Sequence, residues 1–146
     1  MLRYFLLLLV FYHGGAIADD IVPTNQVVNS ENHEEYGVYL IVGDSGLGCD
    51  GVDDVYVVFP ETFQGATSRS ARVSLKKDNQ LQLELSSVVI NLDDYMNIRP
   101  FHGIALCLDA SLLGDIEVAI AYGKGEFIIS ILKVKDFDKF DQYISK

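Results

Sequence analysis

From Tyr36 to Val134 the apolar residues tend to recur at alternate positions, and a period of two selects β-strands over helices. Tyr36–Val42 (YGVYLIV) is rich in β-branched and aromatic residues. Val52–Phe59 (VDDVYVVF) follows a glycine-rich loop and is closed by Pro60. In Ala71–Lys77, Val73 and Leu75 alternate with Arg72, Ser74 and Lys76, so one face meets a core and the other meets water. Lys77-Asp78-Asn79 then reads as a turn. Leu81, Leu83 and Leu85 alternate with Gln82, Glu84 and Ser86 in a second half-exposed strand.

The parity changes after that point. Val88, Ile90 and Leu92 carry the apolar series on even numbers, and a strand cannot exchange its faces without an extra residue. A β-bulge or bend is predicted near Ser86-Ser87. Gly103–Asp109 and Ile116–Tyr122 follow, with the small residues Ala105, Ala119 and Ala121 on their second faces. Gly123-Lys124-Gly125 reads as a hairpin loop, and Glu126–Val134 is apolar on both faces, as a covered central strand should be. About seven strands without a long helical pattern between them predict an all-β fold, an antiparallel β-sandwich or barrel. The tail breaks the pattern. Asp136 can cap a helix, and Phe137, Phe140 and Ile144 fall at i, i+3 and i+7, which predicts a short C-terminal helix.

The first residues have a different character. Arg3 precedes an apolar run from Tyr4 to Tyr12, Gly14-Gly15 break it, and Ala16-Ile17-Ala18 places small residues at −3 and −1 of a cleavage site. That is the layout of a secretory signal peptide over residues 1–18. The apolar run is about half of the roughly 20 residues a spanning helix needs, so no stable membrane anchor is expected after processing. Residues 19–35 read as a polar lead-in in which Ile21-Val22 or Val27-Val28 can dock, and residues 36–146 as one β-rich domain. The expected location is secreted or periplasmic, with cleavage after Ala18.

The whole chain carries a formal charge of −10, and removal of residues 1–18, which hold Arg3 and no acid, makes it −11. Such a surface repels nucleic acid and anionic membranes and favours a basic protein as partner. Cys49 and Cys107 are the two cysteines. An even count in an oxidising compartment predicts a disulfide between them. With His33 and His102 the only histidines left after processing, a Cys/His zinc site is not expected.

Four glycines and four aspartates crowd into Gly43–Asp54 (GDSGLGCDGVDD). Calcium takes six to eight oxygens from such loops, and Asp44, Asp50, Asp53 and Asp54 are the candidate ligands. The plainer reading is a loop in which Gly supplies positive φ and Asp makes Asx turns. Gly43-Asp44-Ser45-Gly46 repeats a string found around serine-protease nucleophiles, but after processing only His33 lies upstream, in the polar lead-in, so the rest of that constellation is missing. Asp93-Asp94 and Asp109 with Asp115 are acidic pairs of the kind used in glycoside hydrolysis, and far more often turn residues. His102 is either a general base or a histidine with a local hydrogen bond. The absence of Trp weakens a sugar-stacking surface. These features together predict a small acidic exported domain that binds without catalysing, its partner a protein. The alternatives are a surface-assembly component that uses sheet edges and a calcium-dependent adhesive or carbohydrate-binding module.

Overall fold

The computed structural model describes residues 22–43 and 48–144. They form eleven strands: β1 (Thr24–Val28), β2 (Tyr39–Gly43), β3 (Asp53–Pro60), β4 (Thr62–Phe63), β5 (Ala66–Lys77), β6 (Gln80–Ser87), β7 (Ile90–Asn91), β8 (Phe101–Leu108), β9 (Ile116–Lys124), β10 (Phe127–Val134) and β11 (Gln142–Ile144). One helical turn, α1 (Asp93–Met96), and two 3₁₀ turns, Ala110–Leu112 and Phe137–Lys139, complete the regular structure. The signal-peptide reading of residues 1–18 lies outside the described residues. Among those described, no helix is long and apolar enough to cross a membrane.

The strands make two sheets. The first runs β1-β10-β9-β5, and both β4 and β6 pair with β5; the second runs β11-β2-β3-β8-β7. The neighbours are antiparallel except at two edges, where β1 lies parallel to β10 and β11 parallel to β2. Alternation then builds the core. Val55, Val57, Phe59 and Ile104 point from the second sheet toward Ala71, Val73, Ile116, Val118, Ile120, Tyr122, Leu132 and Val134 of the first, and all are buried in one cluster. The β5–β6 hairpin has a two-residue turn whose Asp78 (φ 52°) and Asn79 (φ 61°) are both left-handed. That matches the twist of the strands, and Asp and Asn tolerate it better than other side chains.

Four expectations change in the structure. The parity switch is a change of sheet: β6 ends at Ser87, and β7 restarts at Ile90 paired with β8 in the opposite sheet. The same even-numbered series therefore faces a different layer. The C-terminal helix is absent. Phe137 and Phe140 are buried from a single 3₁₀ turn, and β11 follows. Residues at i and i+3 share a face in a 3₁₀ turn as well as in an α-helix, so the spacing did not discriminate. Asp136 sits at φ 60° and makes no side-chain cap bond. The lead-in is part of the sheet: β1 pairs along β10 and buries Val28 completely, although Val27 on its other face stays exposed.

The strand covered on both faces is β3, buried from Asp54 to Phe59, and not β10, whose Ile129 and Ile131 are only half-buried. The outer side of β3 is covered by the segment after β7. There Leu92, completely buried, packs with Tyr56 and Val58, and Met96, Ile98 and Phe101 lie around them. Gly103 on β8 makes room for this cover, because a Cβ there would stand 3.2 Å from a Leu92 methyl and 3.0 Å from the Val57 carbonyl oxygen.

Candidate functional site

Cys49 and Cys107 form the expected disulfide, with a Cα–Cα distance of 5.4 Å. Cys107 lies opposite Asp54 in the β3–β8 ladder, and the buried Asp54 sits beside the bridge. Both sulfurs and an Asp54 carboxylate oxygen fall within 4.8 Å of one another, but the sulfurs are bonded to each other and hold no thiolate for a metal. Asp53 is the preceding residue on the same strand, so its side chain leaves from the other face. Its Oδ2 accepts from the Ala110 N–H at 3.1 Å. Asp50 is exposed on the loop, and Asp44 lies outside the described residues. The sequence-adjacent aspartates of the proposed calcium loop are thus aimed apart by the strand that carries them.

The other candidates resolve into local bonds. His102 shares a hydrogen bond of 2.6 Å between its Nδ1 and Ser68 Oγ, which ties β8 of one sheet to β5 of the other. Tyr122 makes a second tie: its hydroxyl donates to the Pro60 carbonyl at 2.9 Å, and burial pushes its phenol pKa up. Among the described residues His102 has no second side-chain partner to orient it as a base acting on Ser68, whose side chain is itself buried. His33 is also buried. Its Nδ1–H donates to the Val38 carbonyl at 2.8 Å, and its ring stacks on Phe140. Asp93 accepts from Arg99, which holds its carboxyl below the usual carboxylate range. Asp109 caps the 3₁₀ turn by accepting from the Ser111 N–H at 2.9 Å, and hydrogen bonding to Ser111 lowers its pKa.

Two apolar features remain at the surface. The first is a groove of about 450 Å³ on the outer face of the second sheet, lined by Tyr39, Ile41, Val58, Ile98 and Phe101. The second is β6. It pairs with β5 on one side, and no strand among the described residues pairs with its other side. Leu83 and Leu85 stand opposite Leu75 and Val73, which belong to the core cluster, so the leucines point the same way as the core. The second sheet does not reach over them. Leu81, Leu83 and Leu85 keep 56%, 49% and 53% of their surface in water, and Val88 just beyond keeps 78%.

Sheet edges are usually protected by shortness, proline, bulges or charges on the exposed face. The other edges follow that rule: β4 and β7 have two residues each, β11 has three, and β1 has five after Pro23. The eight residues of β6 contain no proline or lysine, and their one charge, Glu84, is on the face away from Leu83 and Leu85 and paired with Arg72 at 3.4 Å; the ladder slips by one residue at Gln82, which sets Leu81 opposite Lys76 and off the face of the other two leucines. Sequence reading placed the leucines against a core. Alternation reports a face, and only the topology shows whether another layer lies over it. No protein-family model matches the chain, and no curated protein is found similar to it.

Proposed function

We propose that the chain is an exported, non-catalytic interaction domain that binds its protein partner by adding a strand to the open edge of β6. One observation carries this reading: a long edge strand with one free side leaves Leu83 and Leu85 half-exposed on its core-facing side. In strand addition the outward N–H and C=O groups supply affinity, and pockets for alternate side chains supply selectivity. Here Leu83 and Leu85 ask for two apolar residues at alternate positions of the incoming strand. Burying one half-exposed leucine contributes about 1 kcal/mol, so two give a modest contact that the main-chain bonds must complete. The acidity of the rest of the molecule favours the approach of a basic protein, as the composition suggests, but the edge itself needs no opposite charge.

The probe is a fluorescent peptide with the sequence of residues 79–87, NQLQLELSS, titrated with the oxidised protein. Saturable binding that Leu83→Lys removes supports strand addition. A titration that stays flat up to roughly 1 mM, with the protein monomeric throughout, ends the proposal.

A further inference from the structure

We infer that the Cys49–Cys107 disulfide is an exchange site for thiols, entered at Cys107, and that the carboxylates around it, Asp54 first, select a thiol carried beside a positive charge. The inference stands apart from the β6 edge, which belongs to the other sheet. Three observations carry it. The bridge is open to solvent, with Cys107 exposed and Cys49 half-buried, so a thiol reaches a sulfur without unfolding of the chain. A cavity of about 310 Å³ beside the bridge is lined by Gly43, Gly48, Cys49, Val52 and Asp54. Asp54, itself buried, holds a carboxylate oxygen within 4.8 Å of both sulfurs.

The ladder fixes this placement. Asp54 lies opposite Cys107 on one side and Gly43, which has no side chain, on the other. A carboxylate so near disfavours negative charge on either sulfur and on an incoming thiolate. The local sequence does not offset it: residues 48–60 and 100–115 hold Asp50, Asp53, Asp54, Asp109 and Asp115 and no Lys or Arg. Reactive cysteines have cations beside their sulfurs, which stabilise the thiolate. Here the cation has to arrive with the attacking thiol. In the first step a thiolate RS⁻ bonds to Cys107 Sγ, the Sγ–Sγ bond breaks, and its electron pair leaves on Cys49 Sγ, which takes a proton from water. In the second, another thiolate bonds to the R sulfur of the adduct and expels Cys107 as its thiolate, which gives RSSR and two reduced cysteines. A positive charge beside the attacking sulfur counters the Asp54 carboxylate in the first step, where a neutral or acidic thiol meets repulsion.

Cysteamine, mercaptoethanol and mercaptopropionate test the site, because they are similar in size and carry a positive, no and a negative charge beside the thiol. Each is reacted with the oxidised protein without denaturant, and its rate is divided by its own rate with oxidised mercaptoethanol, an uncharged small disulfide. The ratios should fall from cysteamine to mercaptopropionate by about tenfold or more, and added salt should narrow them. The rate of opening should rise in proportion to thiol concentration. After trapping with iodoacetamide, mass spectrometry should find the first thiol adduct on Cys107 and the alkyl group on Cys49. Asp54→Asn keeps the size of the side chain and removes its charge, so it should speed mercaptopropionate most and narrow the spread. Equal ratios for the three thiols in the parent, or a first adduct on Cys49, overturn the inference. A rate independent of thiol concentration overturns it as well, since the bridge would then open only after unfolding. So does an unchanged spread in an Asp54→Asn variant that melts with the parent. Should that variant not fold, the order of the three thiols in the parent decides.

Discussion

The molecule has two apolar sheet surfaces beyond its central core, and one of them is partly covered while the other is not. The outer face of β3 and β8 offers Tyr56, Val58 and Ala105, and the chain returns over it with Leu92, Met96 and Ile98. The inner face of β6 offers Leu83 and Leu85 and receives no such return. Composition does not separate the two, since both are rows of aliphatic residues at alternate positions. What separates them is where the chain goes next. After β7 it turns back across the sheet it has just joined, while after β6 it leaves for the opposite sheet. The covered part works as a second core, and the β6 face stays half-exposed.

If this contrast is right, substitutions on the two surfaces should act on different properties. Leu92→Ala removes the completely buried clamp of the covered face and should cost about 2–5 kcal/mol in denaturant unfolding, with the peptide titration at β6 unchanged in the folded fraction. Gly103→Ala pushes a methyl into the Leu92 side chain and the Val57 carbonyl. It should cost about 1–3 kcal/mol by overpacking, and a stability equal to the parent's would show that the cover yields. Leu83→Ala, at a half-exposed position, should cost about 1 kcal/mol or less in the monomer while it weakens peptide binding. A loss as large as that of Leu92→Ala would place β6 within the core and erase the distinction.

The smallest effect concerns the base of the cover, where Arg99 donates to Asp93. The folded-state pKa of Asp93 is depressed, so its contribution is present above the unfolded pKa and is lost as pH falls through the folded value. Amide exchange at Met96–Ile98 should therefore quicken in acid relative to exchange within β6. An equal response in both segments would detach the cover from this ion pair.

Much of the fold could be read from the residues, for reasons that also mark the limits. Strands with one face in a core announce themselves by alternation, and β3, β5, β8 and β9 fall where that pattern places them. The disulfide followed from the cysteine count. The terminal strands did not announce themselves. β1 has one buried residue, and β11 follows a turn whose phenylalanines imitate a helical stripe. At the site, the leucine row was visible and its exposure was not, because exposure depends on the opposite sheet ending short of β6. The Ser68–His102 tie joins residues 34 positions apart and left no local signal. The break in parity at Ser86-Ser87 was the one trace of the event that uncovers β6, since a change of face there is the chain departing from the layer.

The two parallel edges carry a consequence for when the fold can be finished. Thr24 at the head of β1 is aligned with Ser130, and Leu40 on β2 is aligned with Gln142 near the end of the chain. Neither sheet can close that edge until the chain extends through residue 134 in the first and residue 144 in the second. Such distant pairings slow folding, and a chain still being synthesised or threaded cannot complete them. Each sheet should thus gain its parallel edge only after residue 134 in the first and residue 144 in the second has been made.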